Sequence, residues 1–124
     1  LTIDAPMARA TAGNGGGAEI SLRLAFSAPD RFGRVGALWP ILFDFDGVPP
    51  AADENPLVIY QRWGAYHFRS PHENFDSAVF NRNLQAQLRD VGQRPSGGEV
   101  PEGLGWNCAR GYVPEMLRTL FPVM

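Results

Sequence analysis

Ala18-Glu19-Ile20-Ser21-Leu22-Arg23-Leu24-Ala25-Phe26, residues 18–26, is the stretch on which the fold reading turns. Ile20, Leu22, Leu24 and Phe26 alternate with Glu19, Ser21 and Arg23. That period of two predicts a β-strand with one face in the core and one in water. Ala28-Pro29-Asp30 ends it, and residues 31–37 read as a Gly-rich loop. The apolar run 38–45, LWPILFDF, reads as a second, largely buried strand. Pro40 limits pairing at its start, which makes that end an edge or a bulge. Residues 47–56, GVPPAADENP, are a loop, because their prolines and acids cannot continue a strand.

Residues 57–92 follow the pattern strand, turn, helix. Val58, Ile59, Tyr60 and their neighbours form a β-branched and aromatic run bounded by Pro56 and Gly64, with a short second strand expected over 65–68. Ser70-Pro71-His72-Glu73 fits a capping box that would start a helix at Pro71. Asp76 is the alternative N-cap, of a shorter helix. Phe80, Leu84, Leu88 and Val91 make one apolar stripe on that helix, and Gly92 supplies its left-handed end. Residues 93–106, QRPSGGEVPEGLGW, hold too much Pro and Gly for more than an extended piece at Glu99 and Val100. A long connection of this kind is more often functional or interface-bearing than idle. The last element is a short helix with Pro114 in its first turn and Met116, Leu117, Leu120 and Phe121 on its apolar face; Pro122 stops it.

Strands that come first and helices that come later predict an α+β fold: a small antiparallel sheet packed on one long amphipathic helix, with a short C-terminal helix. The expected domain covers 18–124. Ahead of it, residues 1–17 read as an extended Gly-rich arm. Ordering such an arm costs entropy with little burial in return, so an ordered arm calls for a partner.

A chain of 124 residues is the size of one domain. Its net charge of −2 gives no electrostatic reason to expect nucleic acid, and no window has the length of a membrane-inserting helix. All 11 basic residues are Arg, scattered from Arg9 to Arg118 without a block of like charge. Cys108 is the only cysteine, so no intrachain disulfide can form, which mildly favours a reducing, cytoplasmic setting.

Two short stretches suggest chemistry. Ile41-Leu42-Phe43-Asp44-Phe45-Asp46-Gly47-Val48 resembles the first motif of the haloacid-dehalogenase superfamily. That resemblance implies a magnesium-dependent, phosphatase-like activity with Asp44 as nucleophile and metal ligand and Asp46 as general acid. The family's lysine has no counterpart in this Lys-free chain. Asn107-Cys108, followed by Tyr112 and Val113, is loosely similar to a signature of permuted papain-like hydrolases and acyltransferases. The resemblance implies Cys108 as nucleophile and the upstream His67 as base, although the aromatic residue stands one position late and Pro114 interrupts the following helix. His67, His72, Glu73 and Asp76 lack the spacing of a metal site, and the acids are better explained as caps, so neither metal nor cofactor is expected. Trp63, Trp106, Arg69 and Tyr112 are the candidates for a binding surface. With no complete catalytic set, the leading expectation is a non-catalytic binding or assembly module, such as a subunit of a larger complex or homo-oligomer. Its expected contacts are a protein partner or self-association through the arm and the 93–106 loop.

Overall fold

Residues 18–26 are helical. In the computed structural model, which describes residues 5–42, 45, 47–52, 56–67, 69–70 and 75–123, the elements run β1 (Ala10–Asn14), α1 (Gly16–Ser27), β2 (Arg34–Leu38), β3 (Val58–Gly64), β4 (Arg69–Ser70), β5 (Phe75–Asp76), α2 (Ser77–Asp90), β6 (Ser96–Val100), α3 (Trp106–Ala109) and α4 (Val113–Leu120). The same nine letters satisfy two periods. Ala18, Ser21, Leu22, Ala25 and Phe26 recur at helical steps and are the residues buried, whereas Ile20 and Leu24 stay 67% and 41% exposed. Treating Ala18 and Ala25 as neutral hid the helical stripe. Ala, Leu, Glu and Arg are all strong helix formers, and Glu19 meets Arg23 one turn on at 3.0 Å.

This change overturns the antiparallel α+β expectation. β1, β2, β3 and β6 lie side by side in that order, and every adjacent pair is parallel, which makes the fold α/β. Parallel neighbours need a crossover between them, and α1, the segment 39–57 and α2 supply the three. Ala18, Leu22, Leu42, Phe45, Leu84 and Leu88 belong to one core cluster, so all these crossovers cover the same face of the sheet. That is the outcome of right-handed connections when strands add in one direction. The only antiparallel pairing among the described residues is the short β4–β5 ladder.

The opposite face is covered by α3 and α4, whose Ala109, Met116 and Leu120 pack with Leu38, Trp39 and Tyr60. Gly36 in β2 makes this approach possible, since a Cβ there would run into the Met116 side chain. Helices on both faces explain why β2, RVGAL, is buried from Val35 to Leu38, and why a short all-buried strand with no alternation reads as loop. The apolar run expected to be a strand over 38–45 leaves the sheet after Leu38; it contributes Leu42 and Phe45 to the core as a connection.

Other expectations hold. β3 lies where the β-branched run placed it, and α2 starts at Ser77 with the Asp76 carboxylate accepting from Ala78 N at 3.0 Å and Val79 N at 3.4 Å. Leu84 and Leu88 are buried, and Gly92 has φ 88°. α4 carries Pro114 in its first turn and ends at Leu120. Pro71, His72 and Glu73 of the expected capping box lie outside the described residues, but Ser70 ends β4 and β5 precedes α2, so α2 does not extend back to Pro71 and Asp76 is its cap. No helix among the described residues is long and apolar enough to cross a membrane.

Candidate functional site

In an open parallel sheet, ligands bind beyond the carboxyl ends of the strands, so the loops that leave β1, β2, β3 and β6 define the region of interest. The sharpest of them is the β1–α1 turn. Residues 10–14, expected to be part of an arm, form β1, and the Gly-rich run becomes the turn and the first residues of α1. Gly15 alone separates strand from helix, at φ 62° and ψ −124°. Its N–H donates to Leu38 O at 3.0 Å, and its carbonyl accepts from Ala18 N at 3.1 Å and Ile41 N at 3.3 Å. The backbone of Gly15 thus ties together the ends of β1 and β2 and the start of α1. Gly13 lies so close to the Gly17 carbonyl that a Cβ would collide with it.

The pattern is Gly13-x-Gly15-x-Gly17 on a strand, a one-residue turn and a helix. Hydrolases with the motif G-x-S-x-G use such a strained strand-to-helix turn to hold a nucleophilic serine above the sheet. Both outer glycines are present here, and Gly13 is required by the close Gly17 carbonyl, whereas a Cβ on Gly17 would meet nothing. The central position, where the serine would stand, is also glycine, and a Cβ on it would meet only Ile41 Cδ1, at 3.8 Å.

The second constellation lies after β3. His67 is 6% exposed, and its Nδ1 is 3.0 Å from Ser77 Oγ. Ser77 Oγ donates to Pro40 O at 3.1 Å, and Asn81 Nδ2 donates to the same carbonyl at 2.9 Å and to Ser77 O at 2.8 Å. A hydroxyl has one proton; when Pro40 O receives it, His67 Nδ1 carries hydrogen and donates to Ser77. Gln61 Nε2 donates to Asn81 Oδ1 at 3.0 Å and to Asn81 O at 3.1 Å. Burial holds the His67 pKa below its ordinary value, which keeps the ring neutral. Serine and histidine are within hydrogen-bond distance, as in a catalytic dyad, but Ser77 and Asn81 are both 0% exposed. The cluster ties the end of β2, the end of β3 and the first turns of α2 together, and it leaves no path for a substrate.

A third group fixes the C-terminal segment on the sheet. Arg62 Nη2 lies 2.6 Å from Glu115 Oε1, and Tyr60 OH donates to Glu115 Oε2 at 3.2 Å. The Arg62 guanidinium stands 5.0 Å from the centroid of the Tyr112 ring, which in turn packs on Trp39, and Tyr112 OH donates to Glu102. Burial, more than any neighbouring charge, raises the Tyr60 pKa.

The residues singled out from sequence are distributed among these groups. His67 is engaged by Ser77, while Cys108, half-buried in α3, points its sulfur at Leu104 O at 3.9 Å and packs at the edge of the α4-side core. No contact among the described residues joins the two. Trp63 is 2% exposed, with Nε1 donating to Glu99 Oε1 at 3.0 Å; it is a core residue and offers no surface to a partner. Tyr112 belongs to the Arg62 group. Trp106 is 53% exposed at the start of α3. The side chain of Arg69, and Asp44 and Asp46 of the haloacid-dehalogenase-like motif, lie outside the described residues. No group of metal-ligating residues occurs among those described.

What the fold does bring together is the end of β1 with the first residue of α3 and one face of α4. Ala12, Gly13 and Asn14 of β1 line a cleft of about 380 Å³ with Leu38, Trp106, Val113 and Met116. Sequence reasoning did not find Gly15, because a residue without a side chain gives no chemical signal. It also did not single out Gln61 and Asn81, polar residues that are fully buried. No protein-family profile, curated protein or solved structure matches this chain.

Proposed function

We propose that the chain is a non-catalytic binding or assembly module. The observation that carries this reading is Gly15. The turn has the shape and flanking glycines of a nucleophile seat, and the residue in that seat has no side chain. In such hydrolases the acid and the histidine follow the serine in chain order, on later loops. Here the residues after β6, Pro101-Glu102-Gly103-Leu104-Gly105, contain no histidine; of the two that follow β3, His67 is bound by a buried serine and His72 lies outside the described residues. The cysteine-hydrolase reading draws no support from the contacts: no hydrogen bond among the described residues links His67 to Cys108, whose sulfur faces Leu104 O. The binding reading draws its support from the cleft beside β1, where an exposed tryptophan and three α4-face apolar side chains stand next to the edge of the sheet.

The test is turnover. Purified protein incubated with short- and medium-chain nitrophenyl esters and thioesters hydrolyses them at the rate of the buffer, and Cys108→Ser changes nothing. Saturable turnover above background overturns the proposal.

A further inference from the structure

Ser77, Asn81 and Gln85 follow one another at steps of four along α2, a buried polar stripe beside the apolar Leu84 and Leu88. The hydrogen bonds of Ser77 and Asn81 have been given above. Gln85 is different: it is 6% exposed, and its Nε2 donates to nothing among the described residues. Across from the stripe, Gln61 of β3 is 0% exposed and shows the opposite defect. Its Nε2 is held by Asn81 O and Oδ1, while its Oε1 accepts from nothing among the described residues. One buried amide thus lacks an acceptor and the other lacks a donor. Left dry, each would carry the full desolvation penalty of its group.

The backbone brings the two amides to one place. The Asn81 carbonyl that receives Gln61 Nε2 is the one at which the N–H of Gln85 closes its helical turn. On the sheet side, Gly97 stands opposite Gln61 in the β3–β6 ladder, and the next residue, Gly98, lies against Gln85. A Cβ on Gly98 would find only Gln85 Oε1 near it, at 4.0 Å, so this glycine leaves unfilled the space that a side chain would take. Complementary polar groups beside such a space are what a buried water requires, since it must both donate and accept.

We propose that one water molecule is built into this seam, donating to Gln61 Oε1 and accepting from Gln85 Nε2, and that it fastens α2 to β3 beside β6. The site takes water because both of its walls are amides closed off from solvent. It stands apart from the function proposed above.

Two measurements test it. In nitrogen-labelled wild-type protein, the side-chain amide protons of Gln85 show nuclear Overhauser contacts to a long-lived water. Gln85→Met then replaces the amide with an unbranched apolar side chain of similar length. Water-oxygen relaxation dispersion counts one long-lived water fewer in this variant, and its urea midpoint falls, because Gln61 Oε1 has lost the water that satisfied it. A dry Nε2 gives the opposite sign: the substitution relieves an unpaired donor, and the midpoint rises. Gln61→Met lowers the midpoint less in the Gln85→Met background than in wild type, since both amides hold the same water. A raised midpoint, an unchanged water count, additive effects of the two substitutions, or a Gln85 amide without a long-lived water contact would each overturn the proposal.

Discussion

Two places at the carboxyl edge of the sheet have the outline of an active site, and they fail in opposite ways. The β1–α1 turn is open and built of backbone alone, with Gly15 where a nucleophile would stand. The His67–Ser77–Asn81 cluster has the side chains of a catalytic group, but Ser77 and Asn81 are fully buried and are bonded to each other and to Pro40 O. Where there is room there is no reactive side chain, and where there are side chains there is no room. The comparison shows why inventories of His, Ser and Cys mislead: exposure and free valence decide whether such residues are chemistry or scaffold.

The comparison is broken most forcefully at Asn81. Replacing it with leucine takes the Oδ1 acceptor from Gln61 Nε2, which keeps only the main-chain Asn81 O, and removes a donor from Pro40 O inside the core, which should cost about 3 kcal/mol in urea denaturation. A loss below about 0.5 kcal/mol would mean that the cluster is solvated and could be a site after all. Gly13→Ala is expected to come next, at about 2 kcal/mol, since the new Cβ meets the Gly17 carbonyl, backbone that cannot step aside. Gly15→Ala should cost less, about 1 kcal/mol, because its Cβ has space and only the positive φ resists. If these two rank the other way, the turn does not have the geometry described.

His67 makes the buried cluster sensitive to pH in a defined direction. Its folded pKa lies below the ordinary 6.5, so the unfolded chain takes up the proton first as pH falls. The contribution is therefore complete above pH 6.5 and is lost as pH drops from there through the folded value. Denaturation midpoints measured between neutral and mildly acid pH should fall, and His67→Phe should flatten that slope in a background that still folds. A slope unchanged by the substitution would place the titration elsewhere. The smallest effect is expected at Cys108→Ser, within about 0.5 kcal/mol, because the thiol is half-buried at the edge of the core and its hydrogen bond to Leu104 O, at 3.9 Å, is weak.

Much of the second half of the chain was legible from its letters: β3 from its β-branched run, α2 from the Phe80–Leu84–Leu88 stripe and the Asp76 cap, α4 from Pro114 and Met116. The first half was not, and the reasons are physical. In residues 18–26 two periodicities coexist, and the alanines that settle the matter contribute little hydrophobicity each while allowing α1 to lie close to the sheet. Once 18–26 is taken as a strand, the glycines before it can only be a tail; once it is a helix, they are the turn between two elements, and β1 and β2 follow as its parallel neighbours. The error in one element therefore set the whole sheet topology. Of the candidate site, the buried end of β3 was visible through His67, and Trp106 through its glycine surroundings. Gly15 was invisible because its meaning comes from its neighbours' secondary structure.

The central claim is that the seat at position 15 cannot form a covalent acyl- or phosphonyl-enzyme. Intact-mass measurement after exposure to an excess of a fluorophosphonate reagent, which modifies activated serines, tests it most directly. The account predicts the unmodified chain mass, with Ser77 and the remaining serines untouched. A stoichiometric phosphonyl adduct on any serine, Ser77 above all, would contradict it.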